Sequence, residues 1–140
     1  MITVDQINLD ATMAEIKALF DAYEAALMQN DLAALDGFFW QSHLTVRFGT
    51  AENLYGIEAI RIFRQARNTS RLRRSLRNLR ITTYGTDLAM TTTEFMREDL
   101  QLGRQSQTWV RFPEGWRVVS AHVSLSEYCA VSSRVKQAEV

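Results

Sequence analysis

One change of hydrophobic period, near residue 73, restricts this chain to few architectures. Upstream of it, apolar residues recur every three or four positions. Met13, Ile16, Phe20, Tyr23 and Leu27 form one stripe, and Ile57, Ile60, Phe63 and Ala66 form a second. Such stripes mark amphipathic helices. Downstream, the pattern alternates and is cut by two tight-turn signals, Gly85-Thr86-Asp87 and Pro113-Glu114-Gly115, which mark strands joined by hairpins. The spacing predicts a helix over 10–29 with Asp10 as N-cap, a short helix over 35–39 capped by Asp31, a strand over 43–48 and a helix after Gly56. Strands over 76–84, 88–97, 102–112 and 116–125 follow. Helices first and antiparallel strands afterwards predict an α+β fold: a cone-shaped curved antiparallel sheet with the N-terminal helices packed over it. The mouth of such a cone is a ligand site. Residues 1–127 read as a single domain and 128–140 as a loosely ordered tail.

Composition narrows the function. With 46% apolar residues in 140, the chain can bury one substantial core. Lys+Arg and Asp+Glu balance at 16 each, so no global basic field draws it to nucleic acid. Only Lys17 and Lys136 are lysines, and an arginine-dominated cationic set favours bidentate recognition of carboxylate or phosphate. The basic run Arg71, Arg73, Arg74, Arg77 and Arg80 lacks interleaved aromatics and reads as a solvated, ion-paired face or an oligomer contact. One cysteine, Cys129, excludes an intrachain disulfide and fits a reducing, cytoplasmic compartment. The acidic, amphipathic N-terminus does not resemble a signal peptide, and no apolar run would span a bilayer. Two histidines are too few for a typical histidine-based metal site, and no glycine-rich phosphate loop, nucleophile elbow or His-Glu-x-x-His run occurs. The expectation is no metal and no cofactor.

Two residues stand out as a pair. Tyr23 lies on the apolar stripe of the first helix, so its hydroxyl needs an inward partner, either a backbone carbonyl or a ligand. Arg47 lies in the alternating run Thr45-Val46-Arg47-Phe48. It faces either solvent or a cavity, and in a cavity it needs an anion. Together they would make a compact anion site. Alternation puts Gln105, Gln107 and Trp109 on one face of a later strand, where two amides suit a urea-like ligand; a polar outer face is the alternative. Glu94, if inward, would pair with Arg47 in the empty site. Trp40 is a candidate pocket wall or a core residue. His122 is a candidate contact or a satisfied core histidine. Asn53 is a candidate contact or part of a helix-start cap.

The element order, the Pro113-Glu114-Gly115 turn and the close Trp116-Arg117-Val118-Val119-Ser120-Ala121-His122-Val123-Ser124 resemble the SnoaL-like, nuclear-transport-factor-like cone superfamily. Three further segments resemble its AtzH-like branch. They are Val46 to Gly49 with Glu52-Asn53-Leu54-Tyr55-Gly56, Ile81-Thr82-Thr83-Tyr84-Gly85, and Gly103 to Arg111. That branch holds oxalurate-catabolism proteins and the 1,3-dicarboxyurea decarboxylase of bacterial cyanuric acid (s-triazine) breakdown. The resemblance implies a cofactor-independent carboxy-lyase that forms allophanate. Beside the substrate contacts expected from the residue pattern (Trp40, Asn53, Glu94, Gln105, Gln107 and His122), the resemblance makes Tyr23 and Arg47 the catalytic pair. It also implies a homodimer or higher symmetric homo-oligomer. A non-catalytic or differently acting small-anion binder of oxalurate or purine catabolism is the other implied function.

Overall fold

The first helix buries the predicted stripe. In α1 (Asp10–Met28), Ile16, Phe20, Tyr23 and Leu27 are buried and Met13 is half-buried. Asp10 is already helical, so Leu9 takes the cap position. Asp31 does cap α2 (Leu32–Phe38), its carboxylate accepting from the Ala34 amide at 3.1 Å, one turn earlier than predicted. Gly56, at φ 88°, opens α3 (Ile57–Ala66). The inner stripe of α3 departs from expectation: Ile57, Ile60 and Arg64 are buried, whereas Phe63 is half-buried and Ala66 exposed.

The computed structural model, which describes residues 1–70 and 72–129, sets these three helices against one curved, unclosed six-stranded sheet. The strands are β1 (Val46–Phe48), β2 (Asn53–Tyr55), β3 (Arg74–Tyr84), β4 (Leu88–Arg97), β5 (Gln101–Phe112) and β6 (Gly115–Cys129), in the order β2-β1-β6-β5-β4-β3. The α+β cone is therefore as predicted. Two features were not. β2 is an extra strand that folds back on β1, and β1 runs parallel to β6 (Arg47 opposite Ala121), so the sheet is mixed. β6 continues to Cys129; the rest of the tail expected from Tyr128 lies outside the described residues.

Two bulges decide which side chains face the helices. In β3, Asn78 and Leu79 oppose the single residue Thr93, and Asn78 adopts φ 56°. Ile81 and Thr83 face inward beyond this bulge, yet before it the even-numbered Arg74 is the inward residue. In β6, Val119 is the extra residue, because Thr108 pairs with Ser120 and Trp109 with Val118. Trp116 and Val118 point inward before it, and Ala121 after it. Each bulge shifts the alternation by one and re-aims every residue beyond it. Among the described residues no helix is long and apolar enough to cross a membrane.

Candidate active site

Between the inner sheet face, α1 and the end of α3 lies a cavity of about 370 Å³, whose lining includes Tyr23, Arg47, Phe63, Arg67, Arg74 and Gln105. Arg47 reaches it from β1 and is only 9% exposed. Its Nη1 donates to Glu52 Oε1 at 3.0 Å, and its guanidinium lies 5.3 Å from the centre of the Phe63 ring. Glu52 gets there by folding back over Gly49, where a Cβ would sit 1.6 Å from Glu52 Oε1. Arg74 reaches in from β3. Its Nε and Nη2 grip Glu24 of α1 at 2.9 and 2.8 Å, and Nη2 also donates to Gln105 Oε1 at 2.9 Å. Because Gln105 Oε1 accepts, its buried Nε2 points away without a partner.

Two more arginines come from the end of α3. Arg64 donates Nη1 to the Leu35 carbonyl at 3.2 Å, lies 4.3 Å over the Phe39 ring and neighbours the Tyr23 hydroxyl. Burial lowers its pKa from the usual arginine value. Arg67 lines the cavity directly. Burial, and then the charge of Arg47, push its pKa down to about 10. Its Nε and Nη2 are buried with no acceptor. Arg47 and Arg74 each have a carboxylate, whereas Arg64 and Arg67 have none within ion-pair distance among the described residues. The cavity wall thus carries more guanidinium groups than carboxylates, and buried donors without acceptors, which suits a small anion. Among the described residues no group of three or more His, Cys, Asp or Glu side chains is arranged to hold a metal.

The sequence model of the AtzH-like family matches residues 5–128. This chain belongs to the AtzH-like family. The protein is similar to a solved structure from Pectobacterium atrosepticum, a DUF3225-family protein of unknown function. The two share 52% identity over 91% of this chain and 100% of that one, at a TM-score of 0.89. A cystatin-like fold protein from Burkholderia xenovorans is 43% identical over 85% of this chain and 95% of that one, at a TM-score of 0.82. An NTF2-like protein of unknown function from Pseudomonas putida shares the fold alone, at 17% identity over 89% and 93% and a TM-score of 0.71. No protein of curated function matches the chain significantly.

In this AtzH-like protein Tyr23, Arg47 and Gln105 line the same cavity. Gln107 faces inward too but lies deeper: its Oε1 accepts from Thr91 at 3.2 Å, and its Nε2 has no partner. Four predicted contacts lie elsewhere. Trp40 stacks on Phe112 at 5.0 Å between ring centres. Asn53 is exposed on the edge strand β2. Glu94 does not meet Arg47; it points to the outer face beside Asn78 and Arg77, because its neighbours Thr93 and Phe95 point in. His122 is exposed on the outer face, edge-on to Phe48 at 5.8 Å, because the bulge at Val119 turned it outward.

Glu24, Glu52, Arg64, Arg67 and Arg74 are not among the predicted site residues. Arg74, within the run expected to form a solvated, ion-paired face or an oligomer contact, turns inward because of the bulge at Asn78–Leu79. For Arg64 and Arg67 a signal was present: they continue the Ile57–Ile60 stripe at helical spacing.

Proposed function

We propose that this AtzH-like protein is a cofactor-independent decarboxylase that converts 1,3-dicarboxyurea to allophanate in bacterial s-triazine catabolism. The observation that carries the reading is one cavity lined by Tyr23 and Arg47 together, within a set of guanidinium groups that exceeds the carboxylates around it. In the reaction the bond from a urea nitrogen to its carboxylate carbon breaks. Carbon dioxide leaves, and the electron pair stays on nitrogen, which then takes a proton. The urea carbonyl delocalises that pair, so the chain has to orient the carboxylate and deliver a proton. Arg47 would hold a carboxylate and fix the breaking bond. Tyr23 would donate the proton and recover it from solvent, with Arg64 beside its hydroxyl to hold the charge left on oxygen. A positioned proton donor supplies roughly 10²–10⁴ in rate. The same reading carries a cytoplasmic location and a symmetric homo-oligomer.

The test is purified protein supplied with 1,3-dicarboxyurea, with carbon dioxide and allophanate measured against the spontaneous background. Tyr23→Phe is expected to keep the thermal midpoint within a few degrees and to lose about 100-fold or more in kcat. Unchanged turnover in that variant removes Tyr23 from the chemistry. Tight ligand binding by the wild type with no acceleration favours the non-catalytic binder.

A further inference from the structure

Arg67 presents an incomplete version of a contact that is complete elsewhere in the cavity. On Arg74 the edge formed by Nε and Nη2 grips both oxygens of Glu24. On Arg67 the same two nitrogens are buried and have no acceptor. Gln105 adds a further buried donor without a partner, its Nε2, and both residues line the cavity. A guanidinium edge of this shape matches a carboxylate with two parallel hydrogen bonds. Burying donors without an acceptor is costly, and burial, with the charge of Arg47, lowers the pKa of Arg67 to about 10. Arg67 also follows directly on α3, its backbone N–H closing onto the Phe63 carbonyl at 3.0 Å. Its position is therefore set by the helix rather than by the ligand.

We propose that Arg67, assisted by the Gln105 amide, is a second carboxylate subsite that makes this cavity selective for ligands with two carboxylates over ligands with one. The inference rests on the cavity being the ligand site of the proposed function, and it adds the residue that takes the second carboxylate. Arg47, which spends only Nη1 on Glu52, takes the first. A monoanion can engage only one of the two guanidinium groups, and so gains less.

The experiment is calorimetric titration of malonate and succinate against acetate and propionate, on wild type, Arg67→Met and Arg67→Gln, with circular dichroism to establish folding. Wild type is expected to bind the better dicarboxylate at least ~10-fold tighter than either monocarboxylate. Both variants are expected to lose that preference. Without ligand, the Arg67→Met protein should melt no lower than wild type, since two buried donors without an acceptor are gone. With dicarboxyurea as substrate, the variants should raise KM about 10- to 150-fold and leave kcat within a few-fold, the pattern of lost uniform binding. The inference is overturned if wild type does not discriminate, or if either folded variant keeps the dicarboxylate preference. Arg67-dependent dicarboxylate binding without turnover would sink the decarboxylase and leave the subsite standing. Turnover with an unchanged KM in the variants would do the reverse.

Discussion

At the scale of single residues, Glu52 has the character of an internal ligand. It brings a carboxylate to the same guanidinium that a substrate carboxylate would seek, and Gly49 is what gives it room. An arriving carboxylate then either displaces Glu52 or shares Arg47 with it, and in both cases the resting pair opposes binding. Glu52→Gln removes the charge and keeps the shape. It is expected to tighten malonate binding about 3- to 10-fold by calorimetry and to lower stability by about 1–2 kcal/mol in urea unfolding, the range for a hydrogen bond that loses its charge assistance. Weaker malonate binding would mean that Glu52 supports the ligand instead. The residues that set this balance were partly legible. The stripe of α1 identified Tyr23, and alternation around Arg47 posed the right alternative. Arg64 and Arg67 continue a visible stripe, but an arginine at such a position is ordinarily an exposed flank. What makes them inward is the surroundings, the Phe39 ring and Leu35 carbonyl for one and the cavity for the other, and these exist only once three segments have come together.

At the scale of elements, strand alternation is reliable only between bulges. β5 pairs regularly with β4 from Leu102 through Val110, and there Gln105, Gln107 and Trp109 share one face as predicted, the inner one. The parity of His122 fails across Val119, and that of Arg74 fails across Asn78–Leu79, because nothing in the residue types announces the extra residue. β2 is only three residues long, too short for period two to register. The β4–β5 pairing also shapes the cavity. Phe95 is opposite Gly103, and a Cβ on Gly103 would lie 2.1 Å from the end of the Phe95 ring. Phe95 is 1% exposed, lines the cavity and carries Arg74 at 4.6 Å from its ring centre. Gly103→Ala is therefore expected to push the ring toward the cavity and disturb Arg74. The expected loss is about 1–3 kcal/mol of stability by urea unfolding, with weakened malonate binding by calorimetry. A variant of wild-type stability and affinity would mean that the ring has another way to move.

At the scale of the whole molecule, the sheet is covered unequally. Three helices shield the inner face, while on the outer face Arg80, Thr92, Ser106 and His122 lie side by side across β3, β4, β5 and β6. Phe48 continues this face on β1, paired with His122. A two-fold pairing through this face would bring the row against itself, with Arg80 at its end and Glu94 and Arg104 beside it to set unlike charges across the axis. We propose that this face forms the homodimer. Light scattering is expected to give twice the mass of the chain. Ser106→Arg, at the centre of the row, is expected to give the single-chain mass, because a two-fold axis there would bring two guanidinium groups together. Alternation along β5 points Ser106 away from the side on which Gln105 and Gln107 lie. The monomer should therefore bind malonate within a few-fold of wild type if the cavity is complete within one chain. A dimer that survives Ser106→Arg would move the interface off this face. A monomer that loses malonate binding would show that pairing holds the sheet curvature on which Arg47 and Arg74 depend.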